Sequence, residues 1–220
     1  MRKKSKDYII LIGVFLLIIF SSHINGFLSN INPNLKQDKI EKNYDTNLEK
    51  EYRSLKEYND IKEESDLNLI ISKVKYRNVY EFSNTITIFK GFKDHINVGS
   101  AILTNDGLVG VVTKTFERYS IGSLITSKSS NISVSINDSV GILKMQKNEL
   151  VVTDINNYEN INVGDAIYTS GLGNLPKNIF VGTVEEINLN KTQIEKIVKV
   201  KTGANLNELN YLFVYGDYKW

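Results

Sequence analysis

Apolar residues are distributed along this chain in three successive patterns. From Tyr8 to Phe20 they run almost unbroken, and the stretch stays free of Asp, Glu, Lys and Arg through Leu28. That length suffices for a helix to cross a bilayer. From about Gln37 to Glu64 apolar residues become sparse and fall three or four apart, at Ile40, Tyr44, Leu48, Tyr52, Leu55, Tyr58 and Ile61. Six steps cover the 21 residues from Ile40 to Ile61, an average of 3.5, which is the period of a coiled-coil seam. From Leu67 the period drops to two. Alternating runs occupy 69–76, 85–89, 101–104, 108–115, 121–126, 132–136, 140–143, 150–153, 166–169, 181–187, 194–202 and 211–215. Short strands at regular spacing with Gly, Asn and Asp between them predict a mainly β sandwich or barrel, and nothing of helical period follows residue 66.

Within the β region one stretch occurs twice. Ile96-Asn-Val-Gly-Ser-Ala-Ile-Leu-Thr104 returns as Ile161-Asn-Val-Gly-Asp-Ala-Ile-Tyr-Thr169, seven of nine residues identical. Each copy is followed by a Val-Gly step into a new apolar run, at Gly110 and at Gly182. A polar turn with Gly99 or Gly164, then an Ala/Ile/Thr run, reads as a tight turn feeding a strand. The later glycine marks a bulge or a close approach of backbones. Duplication of a small β-domain accounts for the repeat; the plainer account is one turn type used twice. Asn105-Asp106-Gly107 is a tight-turn signature, and Gly91 ends the 85–89 strand.

The ends of the chain set its topology. Arg2, Lys3, Lys4 and Lys6 precede the apolar run, so the N-terminus is expected in the cytoplasm and the remainder outside. An uncleaved anchor is favoured over a signal peptide, whose cleavage site at Ile24-Asn25-Gly26 is poor. The expected division is a cytoplasmic tail (1–8), a transmembrane helix (9–28), a linker (29–36) and a coiled-coil stalk (37–66). Two small β-barrel-like domains follow, 67–128 and 129–220, with an approximate boundary across which strands can exchange. A stalk this polar is marginal as an isolated helix, so its stripe predicts self-association, against the alternative of a single solvated helix. At 1.5 Å per residue it reaches about 40 Å.

Composition excludes more than it adds. With 27 basic and 25 acidic residues the net charge is +2, too balanced for a nucleic-acid footprint. There is no cysteine, so disulfide frameworks, thiolate metal sites and cysteine nucleophiles are excluded. Of the two histidines only His95 lies in the β region, too few for an imidazole metal site. A serine-protease triad of Asp94, His95 and Ser170 is the sharpest catalytic candidate. Against it, an adjacent Asp–His pair does not by itself orient the imidazole, and Gly171 and Gly173 beside Ser170 have an ordinary use in a loop. Gly171-Leu-Gly173 lacks the remaining glycines and the helix of a phosphate loop. Glu63-Glu64 and Glu185-Glu186 point apart as adjacent residues, which suits solvated faces. No catalytic, metal or cofactor residue is expected. The twelve tyrosines suit binding surfaces as well as half-buried sheets.

Two longer motifs carry a resemblance. The first is Ile86-Thr-Ile-Phe-Lys-Gly91, then Ile96-Asn-Val-Gly99, then Thr104-Asn-Asp-Gly-Leu-Val-Gly110. The second is Ile161-Asn-Val-Gly-Asp-Ala-Ile-Tyr-Thr-Ser-Gly-Leu-Gly173, followed by Pro176-Lys177 and Val181-Gly182. In these, and in the order tail, membrane helix, coiled coil and β-body, the chain resembles the rod shape-determining protein MreC family of bacteria. The resemblance implies two β-barrel-like domains, with Gly91, Gly99, Gly107, Gly110, Gly164, Asp165, Ser170, Gly171, Gly173 and Gly182 as structural turn residues. It further implies a dimer or higher assembly through the stalk and a scaffold that organises peptidoglycan synthases during cell elongation. The implied partners are MreD, RodA, the MreB complex and an elongation transpeptidase. The alternatives are a membrane-fusion-type adaptor of an export system and a trypsin-like serine protease relative.

Overall fold

The computed structural model describes residues 33–64, 68–78 and 84–215; within these, the side chains of 33–45, 47 and 78 lie outside the description. The predicted membrane helix at 9–28 falls outside these residues. Among the described residues no helix is long and apolar enough to cross a membrane.

Helix α1 spans Pro33–Glu64. It begins within the expected linker, because proline suits the first helical turn, where its missing N–H has no partner to lose. The chain divides into two compact units at residue 53. In the first, the described residues are helical, with an exposed Glu49–Arg53 ion pair of 2.6 Å along one face. The second holds the last turns of α1 and all the strands.

Twelve strands follow: β1 (Leu69–Asn78), β2 (Thr85–Ile88), β3 (Ala101–Thr104), β4 (Gly107–Thr115), β5 (Ser120–Leu124) and β6 (Asn131–Ile136), then β7 (Ser139–Gln146), β8 (Glu149–Asn156), β9 (Ala166–Thr169), β10 (Phe180–Leu189), β11 (Glu195–Thr202) and β12 (Tyr211–Tyr215). They close into two six-stranded barrels, β1-β12-β3-β4-β5-β2 and β10-β11-β8-β7-β6-β9. All neighbours within each barrel pair antiparallel.

Read as circles, the two orders are the same. Starting from β3 the first barrel runs β3-β4-β5-β2-β1-β12, and from β9 the second runs β9-β10-β11-β8-β7-β6. Strands 6 to 11 thus correspond to strands 12, 1, 2, 3, 4 and 5. The first barrel takes its opening strand from the far end of the chain. This differs from the expected division at residue 128, since 211–215 belongs to the first barrel. Hydrophobic period identifies β12 as a strand but carries no information on which open edge it will close.

Burial explains why β12 is apolar throughout. Leu212 and Val214 join Ile86, Ile88, Ile102, Val112 and Leu124 inside the first barrel. Phe213 faces outward, into a second cluster with Leu103 and Leu108 that runs on to Ile136, Val152 and Val181 of the second barrel. Tyr58 and Ile61 of α1 pack against that same cluster. A strand covered on both faces loses its alternation and reads as a continuous hydrophobic run. The layer shared by the barrels requires backbone contact at two glycines. A Cβ at Gly107 would lie 2.8 Å from the Phe180 carbonyl oxygen, and one at Gly203 would lie 2.4 Å from that of Asp106.

Candidate interaction surfaces

The repeated stretch forms the same device in both barrels. In the first copy the Ser100 hydroxyl accepts from the Asn97 N–H at 3.2 Å; in the second the Asp165 carboxylate accepts from the Asn162 N–H at 2.8 Å. Gly99 donates to the Val112 carbonyl and Gly164 to that of Val184, at 2.8 and 2.9 Å, while the Val112 N–H donates to the Ser100 carbonyl and the Val184 N–H to that of Asp165, both at 2.9 Å. Gly99 and Gly164 sit at φ of 93° and 95°, a conformation open to glycine and strained for a residue with a Cβ. Ser and Asp are interchangeable here because each supplies one short oxygen acceptor to the turn. Asp165 also accepts from the Asn137 side-chain amide at 2.9 Å, tying the turn to the β6–β7 hairpin.

Gly110 and Gly182 answer to close approach. A Cβ would stand 2.2 Å from the Ser123 carbonyl oxygen in one barrel and 2.1 Å from that of Lys201 in the other. Just beyond them the ladders slip at matching places, between Val112 and Lys114 on β4 and between Val184 and Glu186 on β10. Gly91 is likewise pressed against the Phe116 carbonyl, where a Cβ would lie at 2.0 Å.

The candidate triad is not assembled as one. Ser170 donates its hydroxyl proton to Ser133 Oγ at 2.8 Å and accepts from the Leu172 N–H at 3.1 Å, so it pins the 171–173 loop to β6. Gly171 and Gly173 hold that loop at φ of 79° and 138°. Asp94 receives Lys90 Nζ at 2.8 Å and the Gly91 N–H at 3.1 Å. Its partial burial pushes the carboxyl up, but the lysine and the backbone donor outweigh that and the net direction is down. Of the adjacent glutamates, Glu185 lies 3.5 Å from Lys199 and Glu186 accepts from Asn188. Among the described residues no cluster of His, Cys, Asp and Glu could hold a metal.

The predicted stalk residues whose side chains are described divide into two groups. Ile40 and Tyr44 lie in α1, their side chains outside the description. Leu48, Tyr52 and Leu55 are 55%, 66% and 36% exposed and so remain available to a partner. Tyr58 and Ile61 are committed to the chain's own body. The Tyr58 ring lies 4.7 Å from that of Phe213 and 6.1 Å from that of Tyr211, centroid to centroid. Burial, with the nearby charges of Glu57 and Asp106, pushes the Tyr58 phenol up. A stripe at helical spacing does not say whether its cover is another helix or a barrel.

Three further features went unread in the sequence. An irregularity in β1 between Val74 and Tyr76 turns Lys75 and Tyr76 both outward. Lys75 Nζ then lies 5.5 Å from the Phe89 ring and 5.2 Å from that of Tyr119, which stacks on Phe116 at 4.4 Å. With exposed Phe92 these form an aromatic face on the first barrel. A cleft of about 410 Å³ between the barrels is lined by Val111, Thr113 and Ser123 on one side and by Asn131–Ser133 and the 171–175 loop on the other. A second cleft, about 590 Å³, lies where β11 crosses back toward β12 and includes Arg77, Asn84 and Lys201. Residues this far apart in sequence leave no local signal. The excess of tyrosine pointed to surfaces without locating them.

Comparison with known proteins agrees with this geometry. Residues 74–216 match the family model described as "Rod shape-determining protein MreC, barrel core". Over 184 residues the chain is 29% identical to the cell shape-determining protein MreC of Listeria monocytogenes, covering 76% of this chain and 60% of that protein. The match thus spans about three fifths of the length of that relative. A solved MreC structure superposes with a TM-score of 0.68 at 25% identity, covering 76% of this chain and 98% of the other. A structure of Helicobacter pylori MreC in complex with Penicillin-Binding Protein (PBP2) shares the fold, with a TM-score of 0.55 at 22% identity over 69% of this chain and 99% of that one. With the family model covering well over half its length, the chain belongs to the rod shape-determining protein MreC family.

Proposed function

We propose that this chain is a membrane-anchored, extracytoplasmic scaffold of the cell-elongation machinery, acting on cell shape by organising peptidoglycan synthases and carrying out no chemistry of its own. The observation that carries the reading is the pair of equivalent barrels matched by the family model over 74–216. The basic N-terminus before an uncharged apolar run supports a single-pass anchor with its short tail in the cytoplasm. Exposed Leu48, Tyr52 and Leu55 support self-association through α1. The Helicobacter pylori relative, solved with PBP2, supports an elongation transpeptidase as a partner. MreD, RodA and the MreB complex complete the proposed assembly.

The test is cross-linking in the native host followed by purification through a tag on this chain. Recovery of the elongation transpeptidase, and its loss when the β-body is deleted, is the expected result. Recovery of an export channel in its place would transfer the chain to the adaptor class.

A further inference from the structure

The cleft at the crossover is positively charged and incompletely satisfied. Arg77 comes from β1, Asn84 from just before β2 and Lys201 from β11, so both barrels contribute. Among the described residues neither Arg77 nor Lys201 has a carboxylate within ion-pair distance. Among the described residues the Arg77 side chain donates from Nη1 to the Leu206 carbonyl, and its Nε is buried without a partner. Asn84 donates through Nδ2 to Thr126 Oγ1, while its Oδ1 is buried without a partner. Buried polar atoms are rarely left unpaired, and here a donor and an acceptor are unpaired in the lining of one cleft. Glu208, beside the 203–207 stretch, accepts from the Asn205 side-chain amide at 3.4 Å.

We infer that this cleft binds an acidic peptide segment, a side-chain carboxylate lying between Arg77 and Lys201 and a neighbouring backbone N–H donating to Asn84. An arginine edge with Nε free matches the two oxygens of a carboxylate. The unpaired Asn84 oxygen requires a donor, which a peptide provides and a bare oxyanion lacks. Both atoms lie in the cleft wall, so engagement needs a small rotation of each side chain. Because residues 203–207 of the β11–β12 connection line the cleft beside Arg77 and Lys201, an occupant bridges the two barrels. The inference rests on the cleft alone and stands apart from the scaffold reading.

The test is a ¹⁵N nuclear magnetic resonance titration of the full chain in detergent micelles with acetyl-Ala-Glu-Ala-amide. Its Gln counterpart and inorganic phosphate are run in parallel. The expected result is a saturable shift of the Arg77 Nε–H and of the Asn84 side-chain amide with the Glu peptide. Affinity should fall at least about tenfold in Lys201→Gln and in Arg77→Gln, and stay unchanged in Lys191→Gln outside the cleft. The Lys201 side chain makes no hydrogen bond or ion pair among the described residues, so Lys201→Gln reports on binding without disturbing the fold. Absence of shifts would overturn the assignment, as would equal binding of the Gln peptide. Phosphate binding more tightly than the peptide would reassign the cleft to inorganic oxyanions.

Discussion

Replacing Tyr58 with alanine tests whether the end of α1 is part of the folded body. Well over half of the residue is covered, by Phe213, Tyr211 and their neighbours. Burying about 100 Å² of aromatic surface at about 25 cal/mol per Å² contributes about 2.5 kcal/mol. The ring contacts add about 1 kcal/mol. Allowing for partial collapse around the gap, Tyr58→Ala should cost about 3 kcal/mol. For a body of this size that lowers the melting temperature by about 6–12 °C. Tyr52→Ala, six residues earlier on an exposed stretch, should stay within about 0.5 kcal/mol of wild type.

The same contact has an alkaline signature. Burial raises the folded pKa of Tyr58 above its ordinary value of 10.0. A raised phenol favours the protonated folded state, so its contribution is intact below about pH 10 and is lost as pH rises through the folded pKa. Wild type should therefore lose stability more steeply above pH 10 than Tyr58→Phe, which keeps the ring and cannot ionise. Thermal unfolding followed by circular dichroism measures both arms. Melting of Tyr58→Ala indistinguishable from wild type would refute the docking of α1 on β12.

Other substitutions probe the paired device and the stalk. Gly110→Ala and Gly182→Ala each drive a Cβ into a backbone carbonyl across the ladder and should cost about 2–3 kcal/mol or prevent folding, measured by urea unfolding. Asp165→Ala should cost about 1–2 kcal/mol by removing the acceptor of the turn, whereas Asp165→Ser should restore most of it, as Ser100 fills that role in the first barrel; near-equal melting of the Ala and Ser variants would contradict the shared turn. Leu48→Asp with Leu55→Asp should reduce the mass of the detergent-solubilised full chain by light scattering while leaving β-sheet circular dichroism unchanged, and a wild-type monomer would remove the basis for that expectation.

Much of the fold was legible because the relevant signals are local. Period two located the strands, and the Asn-Val-Gly repeat announced two barrels of one build, down to equivalent Gly110 and Gly182 contacts. Long-range facts were not legible. That Tyr211–Tyr215 closes the first barrel depends on an edge left open more than a hundred residues earlier. Tyr58 and Ile61 continue the stripe of Leu48 and Leu55, yet only the fold shows that their cover is Phe213 and its neighbours. Ser170 looked like a nucleophile turn until Ser133, from another strand, supplied its partner. The crossover cleft joins Arg77 to Lys201 across 124 residues, and neither residue is unusual in its own neighbourhood.

The most direct test of the scaffold reading is depletion of this protein in its native host, with imaging of cell outline and of sites of new wall insertion. The account predicts rounded or swollen cells in which insertion is dispersed. Unchanged outline and insertion pattern, with loss of secretion or efflux, would contradict it.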